Sequence, residues 1–125
     1  MAWKVDVNER AVVLAAPFSV ADAERPTMTF ADGSLVVQFV DWTERVVRVT
    51  FAKAVAFTWQ EEERLPADGE RFDAVHRVLD SEWLQEEHLR GVAWCECEFD
   101  HLRLCFNSSG VLDVLCTAFH STIVA

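Results

Sequence analysis

The fold class this sequence predicts is α+β: mostly antiparallel β-sheet, a meander plus a C-terminal hairpin, with one short helix. Apolar and polar residues alternate with period two from Leu35 to Trp59 and again from His101 to Ala118, the mark of strands with one buried face. A single stretch, Ser81 to Gly91, carries helix start and stop signals. The order strands, helix, strands has no βαβ alternation, so it favours an antiparallel sheet whose helix covers one face or edge. At 125 residues the chain fits a single domain, 1–125, large enough to bury one core without staples.

Taken in order, Trp3, Val5 and Val7 alternate with Lys4 and Asp6 as a short opening strand. Asn8-Glu9 turns the chain, and Arg10 to Ala15 is the expected hairpin partner, although AVVLAA suits a helix by composition. The two prolines within Pro17 to Pro26 read as a loop. Met28 to Phe30 is a brief strand ended by the turn Ala31-Asp32-Gly33. Leu35, Val37 and Phe39 share one face, Trp42-Thr43-Glu44 reverses the chain, and Val47, Val49 and Phe51 face inward on the next strand. Ala52-Lys53-Ala54 connects to Val55, Phe57 and Trp59, which completes the expected meander.

The charged stretch QEEERLPADG, 60 to 69, is an exposed loop. Phe72 to Leu79 has spacing that fits a helix, but its β-branched content and the Asp80-Ser81 break favour a strand. Ser81 then caps a helix from Glu82 to about Leu89, with Trp83 and Leu84 as core anchors and Gly91 as the stop. Val92 to Phe99 is a further strand. In the terminal hairpin, pairing Phe106 with Leu112, Leu104 with Val114 and Leu102 with Cys116 puts both apolar sets on one face. That register leaves Ser108, Ser109 and Gly110 as a three-residue loop, with Gly110 in a left-handed conformation.

Charge narrows the function classes. Residues 1–60 hold six Lys/Arg against seven Asp/Glu, and residues 61–125 hold five against fourteen, so −9 of the net −10 lies in the second half, nearly all between Glu61 and Asp100. Such a surface repels a phosphate backbone, which argues against nucleic acid, and attracts a basic protein. Five Trp and nine Phe argue against disorder. The sequence has no uncharged run of about 20 residues for a membrane span, and an acidic start, MAWKVDVNER, is unlike a signal peptide. A cytoplasmic setting is the expectation, with four cysteines as free thiols.

Candidate chemistry is sparse. Cys95, Cys97, His101 and Cys105 are soft ligands within eleven residues. The spacing departs from zinc knuckles, which separate paired cysteines by two to four residues, so core or surface cysteines are the better reading and no metal or cofactor is expected. A cysteine nucleophile served by His88, His101 or His120 lacks a local signature, and Glu96, Glu98 and Asp100 would raise a thiol pKa. There is no phosphate loop, no G-x-S-x-G elbow and no calcium loop. Of the five tryptophans, Trp59 and Trp83 fit the core by periodicity, while Trp42 and Trp94 are better placed as interface anchors.

Asp80-Ser81-Glu82-Trp83-Leu84 followed by HLRLCFNSSGVLDVLCTAF resembles small uncharacterised bacterial α+β proteins that carry a D/N-S-x-W-L element and a terminal H-x-x-x-x-F…G-V-x-D-V-x-A hairpin. The resemblance covers roughly the second half of the chain, and its motifs are folding motifs. Some small acidic proteins of this kind are thought to be immunity proteins of toxin systems, so the resemblance implies toxin neutralisation and carries over no catalytic residue. The leading expectation is therefore a non-enzymatic module binding a basic protein partner, with Glu61, Glu62, Glu63, Glu86 and Glu87 as steering charges and Trp94 as an anchor. The alternatives are a small-molecule or zinc-binding domain on the Cys95/Cys97/His101/Cys105 cluster, and a structural homo-oligomer that pairs through a sheet edge.

Overall fold

The computed structural model describes residues 9–61, 65–91 and 99–125. Within them the chain forms β1 (Arg10–Val13), β2 (Thr27–Ala31), β3 (Ser34–Val40), β4 (Val46–Ala52), β5 (Ala56–Gln60), β6 (Val75–Leu79), α1 (Glu82–Leu89), β7 (Asp100–Phe106), β8 (Gly110–Cys116) and β9 (Ala118–Ile123). Among the described residues these strands pair antiparallel throughout, and one isolated parallel bridge joins Arg10 to Asp68. The expected opening strand at Trp3–Val7 and most of the expected strand at Val92–Phe99 lie outside the described residues. No described helix is long and apolar enough to cross a membrane.

The strands divide into two sheets, ordered β1-β6-β7-β8-β5 and β2-β3-β4-β9, and this corrects the expectation of one sheet under a helix. One eight-residue helix cannot cover the apolar faces of so many strands, so the sheets cover each other. Leu35, Val37, Phe39, Val47, Val49 and Phe51 from the second sheet meet Leu102, Leu104, Phe106, Leu112 and Val114 from the first in one core. Phe39 and Phe106 cross edge to face at 5.2 Å in this core. The connection from Leu14 to Pro26 is a loop, as its prolines predict, but it turns Phe18, Val20 and Ala23 into the same core.

The meander is confined to β2, β3 and β4. Asp32 and Gly33 both take positive φ, 53° and 76°, and close a two-residue hairpin of the primed kind. Asp41 builds the next reversal, its Oδ1 accepting hydrogen bonds from the Thr43 amide and hydroxyl at 2.9 and 2.7 Å and from the Arg45 amide at 3.0 Å. After β4 the chain does not add a fourth neighbour. Lys53 takes a positive φ of 49°, and β5 crosses to the other sheet, where it pairs with β8.

The C-terminal arm breaks at the same level. It was expected to run through Ala118, yet β8 ends at Cys116, Thr117 turns, and β9 joins β4 in the second sheet. The Thr117 amide and hydroxyl both donate to Ala52 O, at 3.1 and 3.3 Å, and the Val55 amide donates to Leu115 O at 3.0 Å. Segments β4-β5 and β8-β9 thus form one antiparallel ribbon folded over a corner, so the same ribbon supplies strands to both sheets.

The terminal hairpin keeps its predicted faces and shifts its register. Phe106 pairs with Gly110, Leu104 with Leu112 and Leu102 with Val114, so each residue meets a partner two positions nearer the turn than expected. A shift of two preserves parity, which is why the apolar set still faces the core. The loop is Asn107-Ser108-Ser109, and Gly110 sits in the ladder with a nearly extended φ of 159°. Glycine is required there by proximity: a Cβ would lie 2.5 Å from Gln60 O and 2.7 Å from the Trp59 ring. Gly110→Ala is expected to destabilise the fold by roughly 1–3 kcal/mol through overpacking, read as a lower midpoint in urea. An unchanged midpoint would show that Trp59 can yield at no cost.

Candidate functional site

The outward face of β7 and β8 carries the polar half of the alternation, His101, Arg103 and Cys105 opposite Asp113 and Leu115, and it is buried as well. The helix predicted from Ser81 lies over it. Ser81 is the N-cap, its Oγ accepting the Leu84 amide at 3.1 Å, and Leu84 packs with Phe99 and Leu115 in a second small apolar cluster that Trp83 joins. Capping and apolar anchoring together place the first turn of α1 directly above His101.

A continuous chain of hydrogen bonds runs beneath the helix. His101 Nε2 donates to Asp113 Oδ1 at 2.6 Å. Its other ring nitrogen, Nδ1, is hydrogen-bonded to the Ser81 hydroxyl, 2.7 Å away. Arg103 Nε donates to the same Asp113 oxygen at 2.7 Å, and Arg103 Nη1 donates to Glu70 Oε1 at 2.9 Å. Glu70 in turn accepts the Ala67 amide at 3.1 Å. Helix cap, both strands of the hairpin and the loop before β6 are thereby tied through one carboxylate. Burial pushes the Asp113 carboxyl up, but the His101 hydrogen bond and the Arg103 charge outweigh it and hold the group below the ordinary aspartate range.

Ser81, His101 and Asp113 have the connectivity of a nucleophilic relay. Ser81 is only 4% exposed, and its oxygen already caps α1, so a substrate carbonyl has no approach to it in this arrangement. The described cysteines, Cys105 and Cys116, are both buried. Cys116 is pushed up to about 12 by burial and by Asp100. Cys105 lies 3.7 Å from Glu70 Oε2 and 4.0 Å from His76 Nδ1. His76 accepts the Arg71 amide at Nε2, 2.8 Å away, which leaves the ring proton on Nδ1, 3.3 Å from Arg103 O, so the imidazole lone pair is engaged away from the thiol.

Above the network opens a cleft of about 310 Å³. The buried His101, Arg103 and Asp113 line it together with Trp83, Thr58 and the carboxylates of Glu9, Glu82 and Glu86. Glu82 and Glu86 are one helical turn apart and exposed, and among the described residues neither pairs with a cation. Glu9 Oε2 accepts the Glu82 amide at 3.1 Å. What this arrangement offers chemically is a negative, partly enclosed recess with one indole wall.

Of the residues singled out in the sequence, the described ones do not gather at one place. Glu86 lies at the cleft. Glu61 stands apart from it, paired with Arg25 and accepting the Trp59 indole N–H at 3.0 Å. Glu87 is 7% exposed and paired with Arg90 at 2.9 Å. Trp42, the other tryptophan set aside as an interface anchor, is exposed at the β3–β4 turn. Glu62, Glu63, Trp94, Cys95 and Cys97 lie outside the described residues. Of the Cys/His cluster this leaves His101, with both nitrogens engaged, and Cys105; among the described residues no three such side chains converge to hold a metal ion.

Sequence reasoning missed Glu9, Glu82 and Trp83 as cleft residues and the His101–Asp113–Arg103 network below them. A signal was present: in the observed register Arg103 and Asp113 are direct cross-strand partners, and opposite charges favour that pairing.

No protein-family model, curated protein or solved structure matches the chain.

Asp113→Asn leaves buried Arg103 with Glu70 alone, and a cost of about 3–5 kcal/mol is expected in urea unfolding at neutral pH. Because the folded-state carboxyl is depressed, its contribution is present above the unfolded value of about 3.9 and is lost as pH falls through the lower folded value. The native chain should therefore lose stability below about pH 4, and D113N should lose less over that interval. Parallel acid profiles for the two would remove Asp113 from this role.

Proposed function

We propose that the chain is a non-enzymatic binding module that presents the cleft beside α1 to a basic protein partner. The observation that carries this reading is the gathering of Glu9, Glu82 and Glu86 around one recess whose single lining cation, Arg103, is already paired with Asp113 and Glu70. The negative balance of the second half raises the encounter rate, and the cleft gives the encounter a place to end. Glu86 keeps the steering role its sequence position suggested and is joined by Glu82 and Glu9. Glu61 and Glu87 are already answered internally by Arg25 and Arg90, so they add to the long-range field more than to contact.

In its most concrete form the module neutralises a basic toxin by occluding that partner's substrate site, the version that the resemblance of the second half favours. The same charge balance disfavours nucleic acid. The described free cysteines, Cys105 and Cys116, suit a cytoplasmic setting.

A peptide rich in Lys and Arg serves as the probe in stopped-flow association. At low salt, E82Q/E86Q should slow association about tenfold, and added salt should erase the difference. E24Q/E44Q, which removes two exposed carboxylates that do not line the cleft, should behave as the unmodified chain. Equal slowing in the two double variants would reduce the cleft to general surface charge.

A further inference from the structure

We infer that the group this cleft accepts is an arginine side chain of the basic partner, its guanidinium lying between the Glu82 and Glu86 carboxylates and against the Trp83 indole. The inference rests on the binding reading above and names the chemistry of its contact. The chain supplies its own precedent. Arg25 lies over the Trp59 ring at 5.8 Å and pairs with Glu61, which also accepts the Trp59 indole N–H, so one guanidinium is already held by an indole and a carboxylate. The cleft repeats that pairing with two carboxylates, neither of which is paired with a cation among the described residues; the one cation lining it, Arg103, is taken up by Asp113 and Glu70.

The site is built as well as charged. Trp83 meets His101 edge to face at 5.3 Å and 79°, and His101 is clamped between Ser81 and Asp113, so the aromatic wall is positioned before any guest arrives. Asp113 is 6% exposed and lines the cleft. Both of its hydrogen bonds fall on Oδ1, which leaves Oδ2 without a partner among the described residues.

Of the charged groups lining the recess, Glu9, Glu82, Glu86 and Asp113 are carboxylates and Arg103 is the cation, so the local field favours a positive guest. Its volume of about 310 Å³ is at the lower end for small-molecule pockets and suits an inserted side chain. Arginine fits better than lysine on three counts: its planar fork can bridge two carboxylates, it stacks on indole, and it sheds water more readily.

The test uses the full chain and three Gly/Ser peptides that differ only in carrying arginine, lysine or citrulline. Binding is followed by calorimetry and by the Trp83 indole N–H resonance, assigned through W83F. The arginine peptide should bind and shift that resonance, the lysine peptide should bind about three- to fivefold more weakly, and the citrulline peptide should not bind. E82Q/E86Q should weaken the arginine peptide about tenfold. E86Q alone, which leaves the first turn of α1 untouched, should weaken it in the same direction.

Equal affinity for the lysine and arginine peptides, with both weakened in E82Q/E86Q, would overturn the arginine assignment and leave the acidic cleft standing. Affinity unchanged in E82Q/E86Q would overturn both. Free arginine amide binding as tightly as the peptide would overturn the assignment to a protein partner.

Discussion

The Asp113 carboxylate is the group on which the arrangement around α1 depends. A single buried oxygen accepts from His101 and from Arg103, and through them it reaches the helix cap at Ser81 and the loop carboxylate Glu70. A lone carboxylate in this position would be expelled or protonated. Two donors on the adjacent strand make it tolerable, and because each donor has a further partner, the network leaves few alternative packings.

That network explains why a face read as polar is not simply exposed. Period-two alternation separates apolar from polar residues, and the usual consequence is one wet face. Here the helix covers the polar side, so its charges must be answered within the protein. The cleft is the part of this covered face that α1 leaves open, and it is lined by both the buried network and the helix carboxylates. The folded ribbon β4-β5/β8-β9 sets the other boundary, since crossing at Lys53 brings β5, and with it Thr58, beside β8.

Much of the local structure was legible. Ser81 as cap, Glu82 to Leu89 as helix and the residues sharing faces in β3, β4, β7 and β8 follow from short-range rules of capping and periodicity, and they stand in the fold. The hairpin register was missed by two positions because parity alone admits every even shift; the contact that selects among them, Arg103 against Asp113, depends on charge and not on apolar pattern. The meander was carried one strand too far for a similar reason. Val55, Phe57 and Trp59 alternate equally well beside β4 or beside β8, and only the sharp turn at Lys53 decides between them.

What the chain by itself determined is which residues alternate, where its helix starts and stops, and how strongly negative its second half is, because each of these is a property of neighbours along the backbone. Tertiary structure alone decided which strands share a sheet and which of the many carboxylates remain unanswered. Glu9, Glu70, Glu82, Glu86, Glu87 and Asp113 are the same chemical group in sequence. Their different situations, at a cleft or against an arginine, arise from contacts between segments that only the closed sandwich and its covering helix bring together.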